Sequence, residues 1–355
     1  DFAGGWSDTP PFCLEHGGTV LNAAILLDGE RPIVARGEIL SDPVLELVWV
    51  DGNAREVVMD ATSLTRYQQP GDPLALHKAA AVLAGLAGPG PSADLTDFLR
   101  HLGGGLRLIT DLKLPPASGL GANSLAAMAL LRCLDLLQGR ESTAADLSAR
   151  VLYLGQMLTT GGGWQDQLGG LIPGIKLLET APGLSQTAQI TPVNLSPRVA
   201  QRLEQQLLLC YVGERRLAKN LLRQVMRRYL SRSPEVVRVL HDVKVLARDM
   251  REALEAGALD ALGRLMLRHW ELNKVMDRQI TTAHVERLFA ALNNLAWGAK
   301  LAGAGGGGFM EIIARDPEAA KRLRERLGPI LATQGGRFYD VKIDDQGPIS
   351  QLDSR

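Results

Sequence analysis

The chain has 355 residues, 46% hydrophobic and 22% charged, which is the make-up of an ordinary globular protein and excludes a disordered chain, a collagen-like repeat and a disulfide-stapled miniprotein. Lys+Arg and Asp+Glu both number 39, so the formal net charge is zero and no global field draws in nucleic acid. Three scattered cysteines (Cys13, Cys133, Cys210), no signal peptide and no apolar run of about 18 residues predict a cytoplasmic chain with no membrane span.

In chain order, Asp1-Phe2-Ala3 reads as the end of a strand whose beginning is missing, so the chain reads as one domain of a longer polypeptide. Thr19–Leu27 and Pro32–Arg36 read as strands joined by an Asp28-Gly29 hairpin signal, and Val44–Val50 with Glu56–Met59 as a second hairpin around Asp51-Gly52-Asn53. A helix is predicted over Pro73–Leu86, a strand over Gly105–Thr110, and helices over Leu125–Leu137 and Ala144–Thr159. Arg202–Cys210 runs into a strand that ends at Gly213. Four amphipathic helices follow at Arg216–Leu230, Pro234–Ala256, Leu259–Met276 and Ala283–Trp297. A strand Phe309–Ala314, a helix Pro317–Leu327 and a strand Arg337–Ile343 close the chain. No period of 20–50 residues repeats, which excludes a solenoid. The pattern predicts an α+β lobe over 1–195 and a helix-rich lobe over 196–355 closed by β-α-β.

Glycine is the informative excess: 38 residues, where about 25 is usual at ~7%. It falls in four clusters. The first, Pro115-Pro116-Ala117-Ser118-Gly119-Leu120-Gly121-Ala122-Asn123-Ser124, lies between a strand and a helix. Small residues there let backbone N–H groups converge beside the positive end of the helix, which suits phosphate. A tight turn that binds nothing is the other reading, and no Gly-Lys-Ser/Thr follows to make a Walker A loop. In the second cluster, Gly162 and Gly163 set Trp164 and Asp166 beside one another, an aromatic wall with a carboxylate; Asp166 could also simply cap a turn. The third, Lys300–Gly308, includes Gly305 and Gly306; a linker carries Ser and charge and does not sit between Leu301 and a buried-looking strand such as Phe309–Ala314. The fourth holds Trp6 and Asp8, where a ring and an acid suit a sugar and where Asp8 could instead cap the turn before Pro10.

Taken in order, these motifs resemble the GHMP kinases over nearly the whole chain, and within them the L-fucokinases. The resemblance implies a two-lobe α+β fold, with a ribosomal-S5-like N-terminal lobe over 1–195 and a ferredoxin-like C-terminal lobe with extra helices over 196–355. It implies transfer of the γ-phosphate of ATP, with Mg²⁺, to the anomeric hydroxyl of L-fucose or a similar sugar. Asp166 would accept or orient the hydroxyl proton. Pro115, Ser118, Gly119, Leu120, Gly121, Ala122, Asn123, Ser124, Gly305 and Gly306 would bind the nucleotide. Trp6, Asp8, Gly162, Gly163, Trp164 and Arg216 would meet the sugar, and Asn123 and Ser124 would reach the metal. Gly303–Gly308 is expected to pack against the phosphate loop and Asp166. Three family features are replaced or absent. Asn123 stands where the family has its Mg²⁺-binding Ser, Gly155 where it has a Glu, and an Arg two residues before Asp1 is not in the sequence. A Gly side chain cannot ligate a hard cation. A catalytically impaired nucleotide-binding or scaffold domain, or a kinase for a heptose phosphate, are the alternatives. The histidines and cysteines show no zinc spacing, and the basic runs read as solvated helix faces. No nucleic-acid or membrane partner is expected.

Overall fold

The computed structural model describes residues 1–87, 95–115, 118–213 and 218–352. They form two compact units interleaved along the chain. One comprises Asp1–Arg31, Pro115–Gly121 and Gly162–Pro348, and the other Pro32–Leu114, Ala122–Gly161 and the C-terminal residues from Ile349. Both mix helix and sheet, so the α+β expectation holds. No helix among the described residues is long and apolar enough to cross a membrane.

In the second unit, four strands lie in the order Ile33–Leu40, Gly105–Leu112, Leu45–Trp49, Ala54–Val58, with the middle pair parallel and the outer pairs antiparallel. The hairpin predicted around Asp51-Gly52-Asn53 is present; Asn53 takes φ 46°, and a Cβ on Gly52 would lie 2.1 Å from the Trp49 ring. The helix Ala122–Leu137 packs on this sheet and buries Ala126, Ala127, Leu130, Leu131 and Leu134. Helix Ala144–Met157 opens with a capping box between Thr143 and Asp146.

The first unit holds a three-stranded antiparallel sheet, Thr19–Ala23, Ile175–Glu179 and Gln189–Pro192. It also holds an antiparallel four-stranded sheet ordered Ala296–Leu301, Phe309–Ala314, Leu207–Tyr211, Arg337–Tyr339. The long helices Pro234–Glu255 and Leu259–Met276 pack against each other, the latter on strand Ala296–Leu301. Their apolar stripes (Val236, Val239, Leu240, Val243; Leu262, Met266, Trp270) enter one core with Leu301, Met310 and Ile312.

Several local expectations are corrected. The Asp28-Gly29 turn forms, with mutual Leu27–Glu30 backbone bonds, but it does not close a hairpin. Strand Ile25–Leu27 pairs with Val341–Ile343 and strand Ile33–Leu40 with Gly105–Leu112, and Pro32 has no N–H to extend the ladder. Residues 202–206 belong to helix Pro197–Gln206, N-capped by Ser196, before strand Leu207–Tyr211 begins. The helix predicted to Trp297 stops at Leu292, where Asn293 turns to φ 47°, and Trp297 lies in a strand. The predicted strand Arg337–Ile343 breaks at Asp340 into two that pair with different partners. Gln165–Leu171, for which no helix is predicted, is a short helix that carries Asp166.

Candidate functional site

The Gly4–Pro11 loop is pinned from below. Phe2 donates its amide to the Leu21 carbonyl at 2.9 Å, and buried Ser7 donates its hydroxyl to the carbonyls of Gly4 (2.6 Å) and Thr19 (3.0 Å) while accepting from the Thr19 amide. The Gly4 amide donates to Nε2 of His269, 3.2 Å away on helix Leu259–Met276. Burial, with the charge of Lys300 adding to it, holds His269 well below the usual imidazole range, so it is a neutral acceptor. Asp8 is completely buried in this loop. Its Oδ2 accepts from the Gln165 amide at 3.1 Å, and its Oδ1 has no partner. Burial pushes its carboxyl up to about 7, the Gln165 amide opposes this, and the charge of Asp166 reinforces it.

Asp166 sits in the first turn of helix Gln165–Leu171, and burial raises its carboxyl above the ordinary range as well. The glycines around it permit close approach. A Cβ on Gly163 would fall 2.0 Å from Asp8 Oδ2, and one on Gly121 would fall 2.5 Å from both Cβ and Cγ of Asp166. Gly119, two residues before Gly121, meets the C-terminal glycine motif, where its Cβ would lie 2.6 Å from the Ala302 carbonyl oxygen. Ser118 is buried; its hydroxyl accepts from the Leu120 amide (3.3 Å) and its carbonyl from the Phe309 amide (2.9 Å). So Asp8 meets Gly163, Asp166 meets Gly121, and Gly119 meets Ala302 and Gly303, all within the first unit. Two carboxyls of raised pKa lie in it beside a glycine-lined loop, the equipment for orienting hydroxyls and moving a proton.

The remaining predicted residues are distributed as follows. Gly305 and Gly306 pack against Ile280, with the Gly306 amide donating to the Ile280 carbonyl. Trp6 and Trp164 are buried instead of forming open walls: Trp164 lies against Gly18 and donates Nε1–H to Gln186 at 3.3 Å, and the Trp6 Nε1–H has no partner. Gly162 is exposed and Pro115 partly so. Ala122, Asn123 and Ser124 occupy the first turn of helix Ala122–Leu137 in the second unit, with Asn123 exposed. Arg216 lies outside the described residues. Among the described residues no three His, Cys, Asp or Glu side chains converge to hold a metal ion.

Sequence reasoning missed His269, Asn22 and Lys176, and took Lys300 only as the first residue of the C-terminal glycine motif. Lys300 is fully buried, 3.1 Å from Asp1 Oδ1 and 3.6 Å from Glu311 Oε2, its cross-strand partner. Burial lowers its pKa and Glu311 opposes that. The one signal available was a lone charge inside an apolar strand, as in Ile175-Lys176-Leu177-Leu178.

The models of the GHMP kinases N terminal domain and GHMP kinases C terminal match residues 92–172 and 250–330. The chain is 35% identical over 351 residues to an L-fucokinase/L-fucose-1-P guanylyltransferase of Bacteroides fragilis, covering 98% of this chain and 37% of that protein. It is 37% identical over 343 residues to a bifunctional fucokinase/GDP-fucose pyrophosphorylase of Arabidopsis thaliana, covering 97% and 31%. The chain thus spans about a third of the length of these curated relatives. A solved D-glycero-D-manno-heptose 1-phosphate kinase from Bacteroides thetaiotaomicron has the same fold, with a TM-score of 0.71 over 98% of this chain and 94% of that one at 18% identity. With both family domains matched in their order along a chain of this fold, the protein belongs to the GHMP kinases.

Proposed function

We propose that this chain transfers the terminal phosphoryl group of ATP to the anomeric hydroxyl of L-fucose or a similar sugar. The observation that carries the reading is the contact of Asp166 with Gly121, in a site shared with the buried carboxyl of Asp8. Fucokinase activity in relatives at 35% and 37% identity supports it. In this reading Asp166 takes or orients the proton of the attacking hydroxyl, and burial raises its basicity toward that task. Asp8 accepts sugar hydroxyls through its unpartnered Oδ1. Gly162 and Gly163 leave room for the sugar and Arg216 meets it, while Trp6 and Trp164, both buried, back the loops that carry Asp8 and Asp166.

The loop Ser118–Gly121 holds the nucleotide phosphates through backbone N–H groups, with Pro115, Ala122, Gly305 and Gly306 as further nucleotide contacts in this reading. No convergent carboxylate set exists among the described residues to form a closed metal site. Asn123 and Ser124, the oxygen-bearing side chains in the first turn of helix Ala122–Leu137, would hold Mg²⁺ together with the triphosphate. Bound there, the cation would neutralise charge that develops on the transferred group. Residues 1–195 and 196–355 correspond in this reading to the two family lobes. The second reading, a catalytically impaired nucleotide-binding domain, is favoured by Gly155, which brings no side-chain oxygen to the position of a family Glu.

The test is a coupled assay with Mg²⁺ and ATP across L-fucose, D-arabinose, galactose, heptose phosphates and mevalonate. Turnover of fucose supports the proposal. Turnover of a heptose phosphate alone overturns the sugar assignment, and nucleotide binding with no transfer to any of them favours the second reading.

A further inference from the structure

Asp166 rides on a helix of seven residues, Gln165–Leu171, too short to persist by its own hydrogen bonds. It has no side-chain N-cap and contains Gly169 and Gly170. What holds it lies beneath, on two strands. Asn22 and Lys176 are directly opposed partners on the antiparallel strands Thr19–Ala23 and Ile175–Glu179. Asn22 donates Nδ2–H to the carbonyl of Gln165, in the first turn, at 3.2 Å. Lys176, with no exposed surface, donates Nζ–H to the carbonyls of Gly169 (2.6 Å), Ile172 (2.5 Å) and Gly174 (3.1 Å), at and just beyond the last turn. The Gly169 and Ile172 carbonyls are acceptors that a helix end leaves unpaired, while the Gly174 carbonyl lies beyond the helix and also accepts the Ala24 amide at 3.0 Å; a cation there complements the helix dipole. Burial pulls the Lys176 amine down to about 7 and the charge of Asp344 opposes this; three carbonyls facing its three N–H donors favour the ammonium form. Gly169 lies flat on the Asn22 amide, where a Cβ would come within 2.5 Å of Nδ2.

We propose that Asn22 and Lys176 are positioning residues that clamp the two ends of this helix and thereby fix where the Asp166 carboxylate stands. Gly121 presses on the Asp166 side chain from the phosphate loop, so a small slide of the helix changes the distance from the carboxylate to the attacking hydroxyl. Misplacement of about 1 Å is enough to lower a rate on the order of 100-fold. The inference rests on the reading of Asp166 as the proton acceptor.

The experiment measures phosphoryl transfer, ATP affinity and amide hydrogen exchange for Lys176→Met and Asn22→Ala, each alone and combined with Asp166→Asn. Met preserves the length of the lysine and removes every donor; Asn22→Ala deletes one hydrogen bond and carries the test if the first variant fails to fold. The expected result is a fall of about 10- to 100-fold in kcat, ATP affinity within about threefold, faster exchange in the helix, and no further loss in the Asp166→Asn background. Full additivity in that background, or unchanged kcat in the single variants while Asp166→Asn is inactive, overturns the clamp alone. Wild-type rates in Asp166→Asn overturn the role of Asp166, and the clamp's catalytic purpose with it.

Discussion

Gly119 and Gly303 meet backbone to backbone: a Cβ on Gly303 would stand 2.8 Å from the Gly119 carbonyl oxygen. Both also have positive φ, 78° and 63°, where side chains are strained. The phosphate loop and the C-terminal glycine motif, more than 180 residues apart in sequence, are thus fitted to each other with no space for a methyl group.

Gly119→Ala is therefore expected to destabilise the fold by about 1–3 kcal/mol in urea denaturation and to raise KM for ATP several-fold with little change in KM for the sugar. Unchanged stability together with unchanged KM for ATP would show that the two loops are not fitted as described.

Asp8 makes stability depend on pH. Its folded pKa of about 7 lies above the ordinary carboxyl value of 3.8, so between those pH values the folded chain holds a proton that the unfolded chain has released. Its contribution to stability is full below pH 4 and is lost as pH rises toward 7. Asp8→Asn should remove that component. The difference in unfolding free energy between wild type and variant is expected to shift in the variant's favour from pH 4 to 7, and to level off above 7. The neutral buried histidines add slopes of opposite sign below pH 6.5, but these are common to both chains and cancel in the difference. A difference that stays flat with pH contradicts a protonated buried Asp8.

His269→Phe exchanges one unsatisfied group for another. The Nδ1 of His269 already has no partner, while its Nε2 receives the Gly4 amide. Stability is expected to change by only about 1 kcal/mol. The Gly4–Asp8 loop loses its anchor, so KM for the sugar should rise at least several-fold. An unaltered KM would mean that Asp8 is held by the remaining bonds of Ser7 and Gln165.

Strong local periodicity was legible. The helix Leu259–Met276 has the predicted ends, and the Asp51-Gly52-Asn53 hairpin and strand Phe309–Ala314 are present. Failures fall where tertiary pairing decides. Nothing local tells strand Ile25–Leu27 to pair with Val341–Ile343, some 315 residues on, instead of its neighbour. The Asp166 helix was hidden because glycines lower its propensity and its support comes from Asn22 and Lys176 on other segments. Asp8 and Asp166 were found through the glycines beside them. His269 and Lys176 were not, and Lys300 was given no role of its own, since each acts as a single residue and repeats no spacing.

The central claim is that Asp166 moves the proton of a sugar hydroxyl while the glycine loops hold ATP. It is tested most directly by ³¹P NMR of wild type and Asp166→Asn incubated with Mg²⁺, ATP and L-fucose, with ATP binding measured on both by calorimetry. Wild type should form a sugar 1-phosphate. The variant should bind ATP with nearly the same affinity and form product slower by about three orders of magnitude or more. A sugar 1-phosphate appearing at the same rate in the variant would contradict the claim.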